Sequence, residues 1–245
     1  PRLDELIGGG LSRGTNTLIT GPSGVGKTTT AVRCALSALE RGEKVAYYLF
    51  DEGLPTLLAR SKAMGMELHP YVATGQLAIR AIDPAELSPG EFAFQVRQAV
   101  EHAGVGTVVI DSLNAYLQAM PGQKFLLLQM HELLTYLNQQ GVVTLLILAQ
   151  HGFIGEVRSA IDLSYLSDSI LLFRFFEAAG AVRTAISAVK SRTTAHEKII
   201  REIRLTSRGI EIGEALTDFR GVMSGLPSYD GAVAIAALLL AASFL

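Results

Sequence analysis

The sequence has little cysteine and almost no net charge, and both features limit the class of protein. Cys34 is the one cysteine among 245 residues, so no disulfide can form within the chain. A single thiol is typical of a reducing compartment, and we expect the cytoplasm. The formal net charge of -2 supplies no overall basic field for nucleic acid or an anionic membrane. Nucleic acid is therefore not the expected partner.

Clustered metal ligands and long apolar runs are missing as well. The five histidines and one cysteine show no local spacing typical of a zinc site. Residues 231–245 are small or apolar without charge, yet they fall short of the ~20 residues that cross a bilayer. The chain does not begin with a signal peptide and its first residue is not Met, so we expect a piece of a longer protein. We also expect no contact with a membrane.

Short apolar runs, by contrast, are abundant. Hydrophobic residues make up 49% of the chain, which is enough for a substantial core. Strand-like runs alternate with helical stretches up to residue 148, and this alternation predicts βαβ units around a mostly parallel sheet. Beyond Gln150, apolar runs separated by glycine-containing turns predict antiparallel hairpins that complete the sheet. We expect an α/β domain over residues 1–228 and an apolar segment of unassigned role over residues 229–245.

The predicted elements have the following bounds. The strands are predicted at residues 17–20, 45–50, 77–82, 105–110, 142–148, 170–176, 181–190, 199–205 and 210–212. The helices are predicted at residues 28–41, 55–64 and 125–139. A further helix is predicted to start at a capping box of Ser88 and Glu91 and to end near Ala103.

The most informative motif follows the first predicted strand. Residues 21–28 match GxxxxGK(S/T) between a strand and a helix, the setting that a P-loop requires. Backbone N–H groups of such a loop point at phosphate oxygens, and the helix adds its positive dipole end. Lys27 is predicted to reach the β- and γ-phosphates and the Thr28 hydroxyl to bind Mg²⁺. The alternative is a glycine turn that serves packing alone. The residues predicted to bind nucleotide are Gly21, Pro22, Ser23, Gly24, Val25, Gly26, Lys27, Thr28 and Thr29.

Hydrolysis also needs a carboxylate that orders the metal and a group that activates water. Asp111 ends a buried strand, where it is predicted to order Mg²⁺, although it could instead cap the next segment. Asp51 and Glu52 follow the second strand, and only one of them can readily face the phosphates because side chains alternate along extended chain. We predict that Glu52 orients or deprotonates the nucleophile and that Asp51 modulates it or binds metal. A solvated turn is the alternative.

One more strand ends in polar residues. Gln150 and His151 follow the strand predicted at 142–148, and Gln150 could sense the γ-phosphate by hydrogen bonding. An ordinary polar strand end is the alternative for this pair.

On these motifs the chain resembles the KaiC family of RecA-superfamily ATPases over nearly its whole length. Residues 3–11, the P-loop, the pair Asp51 and Glu52, and the strand end at Asp111 fall in the family's order. Residues 189–198 with the hairpin after them are similar to the family's Lys-x-Arg segment. The resemblance implies a RecA-like P-loop NTPase that uses ATP and Mg²⁺.

The resemblance also implies a homo-oligomer, usually a hexameric ring with ATP between subunits. Lys190 and Arg192 would then reach the γ-phosphate of a neighbour's ATP and stabilise the transition state. Without the resemblance they are two solvated residues on one face of a strand. Some family members phosphorylate an adjacent Ser and Thr, and by alignment the pair here reads Ser164 and Tyr165. Only the serine is kept, and this departure counts against the family's paired phosphorylation in this chain.

Three functions follow from these observations. The leading one is an oligomeric ATPase that serves as a timer or switch, with transfer of the γ-phosphate to its own Ser164 or a nearby hydroxyl as a further activity. The second is a DNA-dependent recombinase, but the loops after Ser112 and Gln150 carry only Lys124 and Arg158 as cations. The third is a nucleotide-gated scaffold that binds regulatory proteins without appreciable hydrolysis. The complete set of carboxylates and cations described above favours the enzyme.

Overall fold

The structure is a computed structural model that describes residues 2–83, 85–118, 123–150, 164–192, 199–222 and 228–229. It confirms the predicted class, an α/β fold with a mostly parallel sheet followed by antiparallel strands. The apolar segment at residues 231–245 lies outside the described residues. Among the helices of the described part, none combines the length and hydrophobicity that crossing a membrane requires.

The elements are numbered here in chain order. The strands are β1 Asn16–Gly21, β2 Lys44–Leu49, β3 Leu77–Ala81, β4 Val105–Asp111, β5 Val143–Ala149, β6 Ser169–Ala178, β7 Ala181–Ser191, β8 Arg201–Thr206, β9 Gly209–Ala215, β10 Phe219–Arg220 and β11 Ser228–Tyr229. The helices are α1 Arg2–Leu6, α2 Lys27–Glu40, α3 Leu54–Ala63, α4 His69–Ala73, α5 Pro89–Glu101, α6 Leu113–Gln118 and α7 Gln123–Gln139, and a 3₁₀ turn covers Ser164–Leu166.

Every predicted strand and helix is present, with its ends within a few residues of the predicted bounds. The predicted capping box is confirmed, because the Ser88 side chain accepts from the Glu91 N–H while Glu91 accepts from the Ser88 N–H. The sequence analysis does not predict α1, α4, α6, β10 or β11. These elements are two to six residues long, too short to show a period in the sequence.

The main sheet has the strand order β3-β2-β4-β5-β1-β6-β7-β8-β9. Strands β1 to β6 pair in parallel, and β6 to β9 pair in antiparallel fashion. The parallel strands end together at what we call the P-loop edge, which carries Gly21, Asp111 and Gln150. At the opposite edge, β1 and β6 begin and β7 ends, near Asn16 and Arg192.

Helices cover both faces of the sheet. On one face α2 and α3 pack over a cluster that includes Tyr47, and on the other α5 and α7 pack over a cluster that includes Tyr48. Adjacent residues of β2 thus enter opposite cores, as alternation along a strand requires. Phe50 and Phe92 extend the second cluster, with their ring centroids 5.3 Å apart. This packing fixes the end of β2, from which Asp51 and Glu52 emerge.

Candidate active site

The P-loop begins where β1 ends and runs into the first turn of α2. Gly24 and Gly26 have φ values of 77° and 97°, a region that favours glycine. A Cβ at Gly24 would meet nothing within 4 Å, so the loop has open space there. A Cβ at Gly26 would lie 2.9 Å from the Leu205 side chain on β8. The φ value of Gly26 therefore favours glycine, whereas the contact with the flexible end of the Leu205 side chain can be relieved by a shift of that side chain. Val25 is buried and anchors the loop.

Lys27 is buried and folds back over the loop. Its Nζ donates to the carbonyl oxygens of Gly21 at 2.9 Å and Pro22 at 2.5 Å. Burial lowers the pKa of Lys27 to about 8, an effect that the carboxylate of Asp111 partly opposes. Phosphate oxygens are stronger acceptors than carbonyls for an ammonium group, so the side chain can exchange these contacts for phosphate.

Asp111 ends β4 and is only 8% exposed. Its Oδ2 accepts a hydrogen bond from the Tyr47 hydroxyl at 2.9 Å, and the Thr28 side chain also hydrogen-bonds to it. Burial raises the pKa of Asp111, and the hydrogen bonds from Thr28 and Tyr47 lower it in part. Burial also raises the pKa of Tyr47 well above its usual value, so this phenol remains a donor. The sequence analysis does not predict Tyr47, which is brought to Asp111 by the pairing of β2 with β4.

Thr28 and Asp111 supply one hydroxyl and one carboxylate, which are hard oxygen donors of the kind that Mg²⁺ prefers. In nucleotide sites Mg²⁺ takes one or two protein ligands and fills its other positions with phosphate oxygens and water. Within the described residues, no group of three or more His, Cys, Asp or Glu could hold a metal by itself. The donor set fits Mg²⁺ that arrives with a nucleotide.

The two carboxylates after β2 have different partners. Asp51 is exposed and accepts a hydrogen bond from the Ser112 hydroxyl. Glu52 accepts two hydrogen bonds from the Arg60 guanidinium of α3, Nη1 to Oε1 and Nη2 to Oε2, both at 2.8 Å. The sequence analysis does not predict Arg60. Its position one helical turn after the buried Leu57 is the signal that could have placed it on the inner side of α3.

Gln150 lies directly beside the P-loop. Its backbone N–H donates to the Gly21 carbonyl at 2.9 Å. Its side-chain Oε1 accepts from Nη1 of Arg174, on β6, at 2.7 Å. Burial lowers the pKa of Arg174, which the sequence analysis also does not predict. His151 lies outside the described residues.

Lys190 and Arg192 lie at the opposite edge, away from the P-loop of their own chain. Lys190 Nζ donates to the Ser167 carbonyl at 2.6 Å, and Arg192 Nη1 is 3.8 Å from Asp168 Oδ1. The Arg192 N–H donates to the Asp168 carbonyl, and the Asp168 N–H donates to the carbonyl of Asn16, the first residue of β1. Arg192 therefore lies beside the start of β1. From there to Gly21 is about 16 Å along the strand and about 10 Å across two strands. One chain therefore cannot bring these cations to its own P-loop.

Comparison with known proteins identifies the family of this chain. A family model described as "ATPase: KaiC" matches residues 1–217. The chain is 25% identical over 228 residues to the circadian clock protein KaiC3 of Synechocystis sp., covering 93% of this chain and 45% of that protein. It is 27% identical over 229 residues to the circadian clock oscillator protein KaiC of Prochlorococcus marinus, covering 93% and 45%. The KaiC of Thermostichus vulcanus is 25% identical over 227 residues, with coverage of 92% and 44%.

The chain spans less than half the length of these relatives. The family match includes the P-loop, the carboxylates that follow β2 and β4, and the cations at the end of β7. Because it extends over most of the sequence, and the sheet has the expected α/β arrangement, the chain belongs to the KaiC family of ATPases.

Proposed function

We propose that this chain hydrolyses ATP with Mg²⁺ at sites shared between copies of itself, arranged head to tail in a ring that the family resemblance favours as a hexamer. The observation that carries the proposal is the separation within one chain. The nucleotide-binding loop and the carboxylates lie at the P-loop edge, whereas Lys190 and Arg192 lie at the opposite edge. A head-to-tail contact would join the two edges of neighbouring copies.

Each group at the P-loop edge has a role in this proposal. The loop amides and Lys27 hold the phosphates, while Thr28 and Asp111 would hold Mg²⁺, which neutralises charge on the phosphate oxygens when bound. With its Oε1 held by Arg174, Gln150 keeps its Nε2 hydrogens for the γ-phosphate. Asp51, linked to Ser112, borders the site and modulates its charge.

Glu52 and the neighbour's cations act on the reacting atoms. Glu52 orients a water molecule whose oxygen forms a bond to the γ-phosphorus as the bond to the bridging oxygen of ADP breaks. The proton of that water passes to Glu52. Lys190 and Arg192 of the adjacent copy stabilise the charge that spreads over the γ-phosphoryl oxygens. Slow turnover of such a ring would serve as a timer or switch.

Mixing two inactive variants tests whether the site is shared. Lys27→Ala removes a P-loop group, and the double variant Lys190→Ala, Arg192→Ala removes the cations; each alone should release no phosphate from ATP. In an equal mixture, about a quarter of the interfaces pair an intact P-loop with intact cations, so activity should return to about a quarter of the wild-type rate.

The matched control is a mixture of Lys27→Ala with Glu52→Gln. Both changes lie at the P-loop edge, so every interface has a defective half and activity should not exceed that of Glu52→Gln alone. Failure of the first mixture to recover, although the variants co-assemble, would contradict the shared site. If wild-type protein assembles with ATP but releases no phosphate, the chain is a nucleotide-gated scaffold.

Transfer of the γ-phosphate to the protein is a second candidate, favoured by the position of Ser164. This residue begins the 3₁₀ turn Ser164–Leu166, which leads directly to Ser167 and Asp168, the partners of the two cations. A contact that brings the cations to a neighbour's ATP would bring this turn with them. The Ser164 oxygen would bond to the γ-phosphorus of the neighbour's ATP, ADP would leave and the proton would pass to Glu52 of that neighbour. Label from γ-labelled ATP should remain on wild-type protein and be absent from Ser164→Ala; equal labelling of both would exclude this acceptor.

A further inference from the structure

We propose that Arg60 is a positioning residue for ATP hydrolysis, whose guanidinium holds the Glu52 carboxylate in the orientation that receives the attacking water. The proposal rests on the role given to Glu52 above. It assigns a function to a residue that no sequence motif singles out.

The contact between the two side chains is of the type that fixes a carboxylate. Two parallel hydrogen bonds, both 2.8 Å long, join the planar guanidinium to both oxygens of Glu52. Such a fork restricts distance and rotation together, which a single hydrogen bond does not. The side chains are 22% exposed for Glu52 and 39% exposed for Arg60, so the pair is partly shielded from water. An unpaired glutamate at this chain turn would sample several rotamers.

The backbone that carries Arg60 is fixed relative to the P-loop. Leu57 of α3 is 0% exposed and packs into the core beneath the sheet. At the far end of the helix, the Met64 sulfur accepts a hydrogen bond from Thr29 Oγ1 of α2 at 3.8 Å. Helix α3 is thus attached both to the core and to the first turn of the P-loop helix. The Arg60 side chain therefore fixes Glu52 relative to the P-loop helix, whose first turn would contact the phosphates.

The ion pair affects hydrolysis through the position of the Glu52 carboxylate, because that position decides where the attacking water lies. Phosphoryl transfer proceeds through a loose transition state, so placement of the water contributes more than its deprotonation. The fork also leaves a lone pair on each oxygen to accept from water. We therefore expect Arg60 to accelerate hydrolysis rather than to restrain it.

Steady-state hydrolysis by Arg60→Ala, Arg60→Lys and Glu52→Gln tests the proposal. Arg60→Ala should lower kcat by about 10- to 100-fold, the cost of a misplaced group, with KM within about twofold of wild type. Arg60→Lys keeps the charge but not the fork and should fall between Arg60→Ala and wild type. Because Arg60 acts through Glu52, the double variant Arg60→Ala, Glu52→Gln should hydrolyse ATP no more slowly than Glu52→Gln alone.

Lys62→Ala is the matched control, because Lys62 lies on the same helix, is 71% exposed and pairs with Glu67 at 3.7 Å. It should leave kcat unchanged. A kcat at or above wild type in Arg60→Ala overturns the proposal, as does an added loss in the double variant. If Arg60→Ala does not fold by circular dichroism, a wild-type kcat in Arg60→Lys overturns it. Full activity of Glu52→Gln would instead show that the proposed role of Glu52 is wrong, and would remove the basis of this inference.

Discussion

The P-loop edge and the opposite edge of the sheet differ in the functional groups that they present. The P-loop edge carries the carboxylates of Asp51, Glu52 and Asp111 together with Lys27, whose ammonium group is turned onto carbonyl oxygens. The opposite edge presents Lys190 and Arg192, which are held by groups just before β6. The directions of the strands explain this division. Strand β6 runs parallel to β1 and β7 runs antiparallel to β6, so β7 ends at the edge where β1 begins. In the function proposed above these are the two halves of one ATPase site, and within a single chain they do not lie within reach of each other.

The largest effect is expected at the opposite edge. Arg192→Ala should lower kcat by about 10³-fold, the magnitude typical of an arginine that stabilises a transferring phosphoryl group. Nucleotide affinity should hardly change, because Arg192 does not contact the P-loop of its own chain. Hydrolysis rates and binding of a fluorescent ATP analogue separate the two effects.

Arg183→Ala provides the control for that prediction. Arg183 lies on the same strand at its other end, where it pairs with Glu202 at 3.6 Å. Its removal should leave kcat near wild type. A comparable loss in both variants, or an equal loss of affinity in Arg192→Ala, would contradict the division between the edges.

A smaller effect is expected from the residue that organises the opposite edge. Asp168 Oδ2 accepts from the Asn16 backbone N–H at 3.0 Å and from Asn138 Nδ2 at 3.3 Å. Asp168→Ala leaves both donors without this acceptor, and the free energy of unfolding should fall by about 2 to 3 kcal/mol. Urea denaturation measures it, with the exposed Asp218→Ala as the reference. Equal stability of the two variants would show that Asp168 does not organise this edge.

At the P-loop edge, the affinity for ATP should depend on pH through Lys27. Its pKa is lowered to about 8 because burial disfavours the charged form. Phosphate favours the charged form, so ATP binding must take up a proton above that pH. Affinity should be level from pH 7 to 8 and then weaken by up to about tenfold per pH unit.

Calorimetry in buffers of different ionisation enthalpy should detect the same proton uptake near pH 8.5. Lys27→Arg stays charged over this range and should show neither effect. Proton release on binding, or an affinity that rises with pH in wild-type protein, would contradict the burial of a partly neutral lysine.

The smallest effect is expected where neither edge is involved. Ser88 accepts a hydrogen bond from Glu91 N–H at 3.2 Å at the start of α5. Ser88→Ala should cost about 1 kcal/mol in thermal or urea unfolding, the usual value of an N-cap. Hydrolysis at 25 °C should stay at the wild-type rate. A lower kcat in Ser88→Ala would mean that the start of α5 affects the groups at one of the two edges.

Much of the fold was predictable because its signals are local. The P-loop spacing, the alternation of strands with helices and the capping box at Ser88 each occupy a few consecutive residues. The carboxylates at the ends of β2 and β4 could also be placed at one edge, because parallel strands end together. The partners of those carboxylates could not be predicted. Arg60 is eight residues from Glu52 and Tyr47 is 64 residues from Asp111, so both contacts depend on packing.

By itself, the sequence determined the class of the protein, the phosphate-binding loop and the residues available for chemistry, since these depend on residue type and spacing. Tertiary structure decided which residues meet. Strand order placed β4 beside β2, which brought Tyr47 to Asp111, and the packing of α3 brought Arg60 to Glu52. It also carried Lys190 and Arg192 to the edge away from the P-loop. Those outcomes follow from burying two apolar faces of one sheet, a long-range constraint that no short stretch of sequence encodes.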